Sequence, residues 1–471
     1  MATLFSNPFY LLSLIPLFLL IFVVLPRWRW GVVLIFIWLF LEDIIRRFLP
    51  GQPPQVMLIK DGLIFITYFA FFAVFIIKNK KIWRPPFFGG LLLFVGWCIA
   101  ETLNPNLPNL LFAAVGLRSY FFYLPMIFLG YYMFRNKESL IKFCRIFVYA
   151  SILLVSLAIF QYIYFYEISS PLIQPLEAAH EVHSFEEGNI KLVSSVFGTG
   201  ERYARFGLLL ALLGLGLLFY PKNSLKQRFF IAISIVAAAL GIVISGRRMP
   251  IYLLIIGVLV WLFLNYRKSL LRILQFKLEK SLMIFLLILG TIGFLIFFSL
   301  GDVAEFFITT IPHLIRDRVS AYSNDFLNAA KASGLFGFGT GALSHGLSYI
   351  PEGAEWLQKW MKQIGGVETG PGKIWFELGL IGFLIFIFFY AQMFINWLRQ
   401  IIKLNKTDLY GLGLSIFLFL TLMLFWFAKG HQIFGDPTTL VCLWFFMGIL
   451  FRLKFFSEKK PKEIQNYEYV Q

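Results

Sequence analysis

The sequence predicts an all-α, polytopic integral membrane protein with about 12–13 transmembrane helices and a large helical extracytoplasmic loop late in the chain. Three observations carry that class. Of 471 residues, 59% are hydrophobic and only 14% charged, with a mean hydropathy of +0.77 and 57 phenylalanines, far from the usage of soluble domains. About thirteen apolar runs are long enough to cross a hydrocarbon core that needs about 20 helical residues. Finally, Lys and Arg concentrate in every second connection between those runs.

The runs fall near 9–25, 30–48, 58–77, 87–103, 110–134, 143–166, 203–220, 229–245, 250–266, 281–300, 374–398, 410–428 and 438–453. The first has no Lys or Arg before it and no small-residue cleavage pattern, which marks a retained span rather than a signal peptide. The connections holding Arg27/Arg29, Lys78 to Arg84, Arg135 to Arg145, Lys222 to Arg228, Arg267 to Lys280 and Arg399 to Lys406, with the tail from Arg452, carry 26 basic residues and six acids. By the positive-inside rule they are cytoplasmic, with the C-terminus inside and the N-terminus outside. A formal charge of +17 would suggest nucleic acid in a soluble chain; here it reports topology, so the expected partner is the lipid bilayer and not nucleic acid. Cys98, Cys144 and Cys442 lie within or beside apolar runs at no metal or redox spacing, so neither a disulfide nor a zinc site is expected.

The organisation follows: a transmembrane bundle over 1–300 with an acidic outer loop at 167–202, an extracytoplasmic cap over 301–373, C-terminal transmembrane helices over 374–456, and a cytoplasmic tail over 457–471. Long loops in a compact protein are usually functional.

The basic residues left on the outer side oppose the charge rule, and nine of those sixteen are Arg: 46, 47, 118, 202, 205, 247, 248, 316 and 318. Guanidinium offers a planar fork matched to phosphate or carboxylate, so this face points to anion recognition. Arg202 and Arg205 open the run at 203; Arg247 and Arg248 precede Pro250, an N1-type proline. Each pair thus stands at a helix N-terminus, where unpaired N–H groups already favour an anion. The competing reading is lipid head-group anchoring or pairing with Glu201. Arg118 lies about eight residues into its span, hence about 12 Å deep, which marks a polar cavity; snorkelling or pairing with Glu101 is the alternative. In the cap, Arg316 and Arg318 are followed by Gly337-Phe-Gly-Thr-Gly341 and His345. That glycine pattern lies outside any βαβ unit and is not a nucleotide fingerprint. Glu377, near the outer end of the next helix, reads either as catalytic or as an i,i+4 partner of Lys373. His180 and His183 have metal-compatible spacing but no convincing third ligand, so no metal is expected.

These residues resemble the O-antigen ligase and O-antigen polymerase superfamily of bacterial envelope glycan enzymes, which are similar to GT-C-type glycosyltransferases. The likeness rests on Gly116 to Leu124, Phe197 to Gly207, Ile244 to Arg248, Arg318 four residues before Tyr322, Gly334 to Gly341, and Glu377-Leu-Gly-Leu-Ile-Gly-Phe383. It implies an enzyme of the bacterial cytoplasmic (inner) membrane, working on the periplasmic side without cofactor, metal or nucleotide sugar. The implied donor is an undecaprenyl-diphosphate-linked oligosaccharide, and the acceptor a glycan or a lipid A core. The family's diphosphate-binding arginines correspond to Arg247 or Arg248 and to Arg318. Many members carry a His-Asn pair about nine residues before the Glu-Leu-Gly; here Glu368 and Thr369 occupy that region, so Glu368 or His345 would take the role of base, or this branch differs in acceptor or mechanism. The expected chemistry is direct displacement with inversion, the arginines 118, 202, 205, 247, 248, 316 and 318 gathering round the diphosphate and Glu368, His345 or Glu377 accepting the proton. The rival reading is a transporter or flippase of a lipid-linked or anionic substrate, against which stand the absence of repeat halves and the gathering of polar residues at one face.

Overall fold

The computed structural model describes residues 23–49, 56–164, 183–185, 188–190, 193–266, 311–349, 351–364, 367–430, 433 and 435–457; backbone alone is described at 183–185, 188–190, 266, 311–321, 345, 349, 351, 361 and 364. Over these residues the chain is helical, apart from a short antiparallel hairpin pairing β1 (His183–Phe185) with β2 (Gly188–Ile190). The bundle helices are α1 (Trp28–Phe48), α2 (Val56–Ile77), α3 (Phe88–Ala100), α4 (Leu110–Leu117), α5 (Met126–Tyr132), α6 (Lys137–Ile163), α7 (Gly200–Leu218), α8 (Leu225–Ile244) and α9 (Arg248–Tyr266). The cap supplies α10 (Ile311–Ser333) and α11 (Pro351–Ile364), and the chain ends in α12 (Gly370–Leu404), α13 (Tyr410–Lys429) and α14 (Pro437–Ser457).

Eleven of the thirteen expected runs fall on described residues, and each is helical; 281–300, and 9–25 but for its last three residues, lie outside them. Among the described residues, eight helices are long and apolar enough to cross a membrane, so the protein is an all-α polytopic membrane protein. α1 and α7 are of similar length, 21 and 19 residues, but carry charges at one end: Glu42, Asp43, Arg46 and Arg47 in α1, and Glu201, Arg202 and Arg205 in α7.

Caps place the helix starts. Asn109, Asn136, Thr199 and Thr369 each accept backbone N–H bonds at the head of α4, α6, α7 and α12, and Ser224 with Gln227 forms a capping box on α8. α7, α13 and α14 are apolar on nearly every side because they form the centre of the bundle, whereas α2, α6, α9 and α12 turn exposed Leu, Ile and Phe outward, as lipid-facing helices do. Small residues let backbones meet: a Cβ on Gly130 of α5 would stand 2.0 Å from the Phe445 carbonyl of α14, and one on Gly448 would stand 2.0 Å from that of Ile127.

α12 is kinked. Gly379, at φ 67° and ψ −174°, interrupts the helix in a region open only to glycine. The backbone groups freed there are taken up by the segment 334–339. Phe338 N–H and Gly339 N–H donate to the carbonyls of Phe376 and Glu377, Leu380 N–H and Ile381 N–H donate to those of Gly334 and Leu335, and Trp97 Nε1 donates to that of Leu378. The cap is thereby tied to the bundle by main-chain bonds. A Cβ at residue 379 would also lie 2.1 Å from the Leu335 carbonyl oxygen, whereas Gly89 in α3 has nothing within 4 Å. Gly379→Ala is therefore expected to destabilise the fold by about 1–3 kcal/mol and Gly89→Ala to leave it unchanged or slightly firmer. Thermal unfolding of both variants in detergent checks this; equal midpoints would contradict the kink.

Candidate functional site

The ionisable residues of six segments meet at the bundle end where α7 and α9 begin. α1 contributes Glu42 and Asp43 from its last two turns, and α2 answers with Lys60 and Asp61 from its first. Lys60 Nζ lies 2.9 Å from both Glu42 oxygens, and both side chains are buried. The next residue, Asp61, takes Arg118: Nε and Nη2 donate to Asp61 Oδ2 at 2.9 and 2.6 Å, and Tyr123 Oη donates to Oδ1 at 2.9 Å. Arg118 opens a single π-helical turn, Arg118–Phe122, between α4 and α5. On the other side of α1, Asp43 accepts from Gly198 N–H at 2.7 Å and from Arg202 Nη1 at 2.5 Å. Arg202 Nε is 2.9 Å from Asp436 Oδ1, and Arg205 Nη2 is 3.5 Å from Asp436 Oδ2. The result is a chain of ion pairs from α4 through α2, α1 and α7 to the residue preceding α14. Burial alone would raise the Asp436 carboxyl, but Arg202 and Arg205 beside it outweigh that and hold it below the ordinary range.

Arg47 orders the segment leading into α7, donating to the carbonyls of Ser195 and Phe197 and to Ser194 Oγ. Gln161 of α6 holds Ser195 from the other side through paired 2.8 Å bonds. This fixes the N-terminus of α7, where a Cβ on Gly200 would sit 2.9 Å from the Ser245 carbonyl. The head of α7 and the turn from α8 into α9 are therefore in contact. Gly246 makes that turn at φ 71°, Arg247 N–H donates to Ser245 Oγ, and Arg248 begins α9. Pro250 occupies the third helical position, still within the turn whose N–H groups lack helical acceptors.

The second feature lies under the cap. Gly337, Gly339 and Gly341 all have positive φ, and Gly341 packs against Gly116 of α4 so closely that a Cβ on it would lie 2.1 Å from the Phe112 carbonyl. Thr340 Oγ1 donates to the Cys98 carbonyl at 2.6 Å, pinning the loop to α3. Behind it, Glu377 is wholly buried: Tyr120 Oη donates to Oε2 at 2.6 Å and Leu343 N–H to Oε1 at 2.9 Å. Lys373 Nζ stands 3.7 Å from Oε1, too long for a hydrogen bond, and 5.8 Å from the Tyr120 ring. α11 covers this assembly with Trp356 and Trp360, which pack on Phe112, Phe338 and Phe376.

Several expectations change. Arg118 is paired, but with Asp61 rather than Glu101, which accepts from Asn104 instead. Arg202 binds Asp43 and Asp436 rather than Glu201, while Arg205 does reach Glu201, at 3.7 Å, and lies 5.4 Å from the Trp426 ring. Glu377 is wholly buried, hydrogen-bonded at both oxygens, and holds the cap loop through Leu343 N–H. Glu368 is exposed and its N–H donates to Asp325 Oδ2, which also holds Thr369 N–H. Arg247 and Arg248 are half-buried and flank the α7 head. The backbones of Arg316 and Arg318 lie in α10 and that of His345 in the one-turn helix His345–Tyr349; their side chains lie outside the described residues, as do His180 and its surroundings.

Sequence reasoning missed Glu42, Asp43, Lys60, Asp61 and Asp436. The signal was present for four of them, since ionisable pairs inside apolar runs are costly unless partnered. No family model and no curated protein matches the chain.

Removing one member of the buried Lys60–Glu42 pair leaves an uncompensated charge. Lys60→Met is expected to cost about 3–5 kcal/mol, and the double variant Lys60→Met/Glu42→Leu to recover most of it. A double-mutant cycle by thermal unfolding tests this, and additive losses would contradict it. For Asp436 the sign runs the other way from a histidine. Its depressed pKa contributes stability above about pH 4 that is lost as pH falls through the folded value. Asp436→Asn should flatten the acid limb of the stability profile measured between pH 3 and 7.

Proposed function

We propose that this protein is a membrane glycosyltransferase that moves a glycan from a polyprenyl-diphosphate carrier, of the undecaprenyl type, to an acceptor hydroxyl on a glycan or lipid A core at the outer face of a bacterial cytoplasmic membrane. The observation that carries the reading is the contact between the heads of α7 and α9 at Gly200 and Ser245, which brings two helix N-termini and the arginine pairs 202/205 and 247/248 together at one end of the bundle. Two positive dipole ends and four guanidinium groups in one place favour a di-anionic ligand.

Arg202, Arg205 and Arg118 are engaged by Asp43, Asp436, Glu201 and Asp61, so they stiffen and polarise the site. Arg247 and Arg248, with Arg316 and Arg318 of the cap, would neutralise the charge that grows on the leaving diphosphate, the main contribution to rate. Glu368, exposed at the cap's return to α12, or His345 would accept the proton of the acceptor hydroxyl as the new glycosidic bond forms and the anomeric C–O bond to phosphate breaks. Glu377 and Tyr120 would hold the loop that carries His345.

The test is purified protein with a defined undecaprenyl-diphosphate oligosaccharide, with and without a lipid A core acceptor, and mass spectrometry of the products. Arg247→Ala/Arg248→Ala is expected to lower product formation by about 100-fold or more with the thermal midpoint retained. Longer lipid-linked chains identify a polymerase, and transfer only to the added core a ligase. Transbilayer movement of the lipid with no new glycosidic bond would replace this reading with a flippase.

A further inference from the structure

The opposite end of the bundle carries a cavity that the proposed transfer does not use. It has a volume of about 210 Å³ and opens between the start of α3 and the last turns of α12 and α14. Four cations line it, Arg84, Arg399, Lys403 and Lys454, together with Trp83 and Gln400, and no acidic side chain is among its described lining residues.

The walls are built. Trp83 lies flat on Tyr131 at 4.2 Å with the rings 4° apart, and its backbone N–H donates to Tyr132 Oη at 2.8 Å. Arg452 stands over the rings of Tyr131 and Phe455, each 5.2 Å away, behind that wall. Gln400 is buried and its Nε2 donates to the Phe451 carbonyl at 3.2 Å, tying α12 to α14 below the opening. Arg399 and Lys403, one turn apart on α12, and Arg84 remain exposed.

Depth locates the cavity. Arg399 follows Glu377 by 22 residues of α12, about 33 Å at 1.5 Å per residue, or one hydrocarbon thickness. The cavity thus sits at head-group level on the Lys- and Arg-rich side. Beside it, α12 exposes Ile395, Leu398 and Ile402, the last 72% open, a stripe on which an acyl chain can lie.

We propose that this cavity binds a phosphate ester, the head group of an anionic phospholipid, with guanidinium and ammonium groups on its oxygens and the neighbouring apolar stripe against an acyl chain. Basic pockets between transmembrane helices recognise such head groups, each cation near the surface contributing about fivefold in affinity.

Native mass spectrometry of the full chain in detergent tests it, with dioleoyl phosphatidylglycerol, dioleoyl phosphatidylcholine, glycerol phosphate and inorganic phosphate as probes. Phosphatidylglycerol is expected to be retained over phosphatidylcholine. The variant Arg84→Gln/Arg399→Gln/Lys403→Gln is expected to weaken that retention about 100-fold, and the control Lys222→Gln/Lys226→Gln, two exposed lysines at the same end, to leave it unchanged. Displacement by glycerol phosphate at equal concentration would support the phosphate site while assigning it a soluble ester. Equal retention of both lipids, or a triple variant that holds phosphatidylglycerol as the parent does, would overturn the proposal. A thermal midpoint unchanged in the triple variant separates lost binding from lost fold.

Discussion

Arg202 lies between Asp43 and Asp436, and the arrangement of the bundle end depends on that bridge. A guanidinium taken out of water inside a membrane bundle is tolerable only where carboxylates or backbone carbonyls meet it, and Arg202 has carboxylates on two sides. One carboxylate comes from α1 and the other from the residue ahead of α14, so satisfying Arg202 fixes three elements at once. The same logic passes along α1 to Glu42 and Lys60, and along α2 to Asp61 and Arg118. Each helix that supplies one charge supplies a second, of the same or opposite sign, to the next neighbour. Helix packing in a membrane lacks the aqueous hydrophobic drive, so such pairs specify which helix sits beside which.

The cap is attached by a different device. Breaking α12 at Gly379 releases backbone groups that cannot be left unpaired in an apolar setting. The loop from Gly334 to Gly341 takes them, and its positive-φ glycines allow main chain to lie directly on main chain at Gly116 and Gly379. Glu377 then becomes a fixed acceptor for Leu343 N–H and Tyr120 Oη, joining α12, the cap and the π-helical turn after α4. Glu377 is thus a tie between three segments, while Glu368, nine residues earlier on the return from the cap, is exposed.

The two ends of the bundle handle basic residues differently. At the α7 end the cations stand among acids and helix N-termini, which creates a structured polar layer with dipoles pointed at one place. At the other end the cavity beside α12 gathers arginine and lysine with aromatic walls and no carboxylate among its described lining residues. Under the proposed transfer the first arrangement would meet charge developing at a defined point, and the second would hold an anionic head group.

The sequence by itself determined the class, the positions of eleven described apolar runs and the glycine-rich turns, because hydropathy and φ preference are local properties. It also indicated the i,i+4 contacts Glu201–Arg205 and Lys373–Glu377, which are present at 3.7 Å. Only the tertiary structure decided the closer partners: Asp43 for Arg202 across 159 residues, Asp61 for Arg118 across 57, and Tyr120 for Glu377 across 257. Electrostatic attraction depends on separation in space and on burial, and helices crossing a bilayer bring together chain ends that no window of sequence contains. For that reason the sequence marked the arginines as a group, while the fold gave Arg118, Arg202 and Arg205 their acids on distant helices.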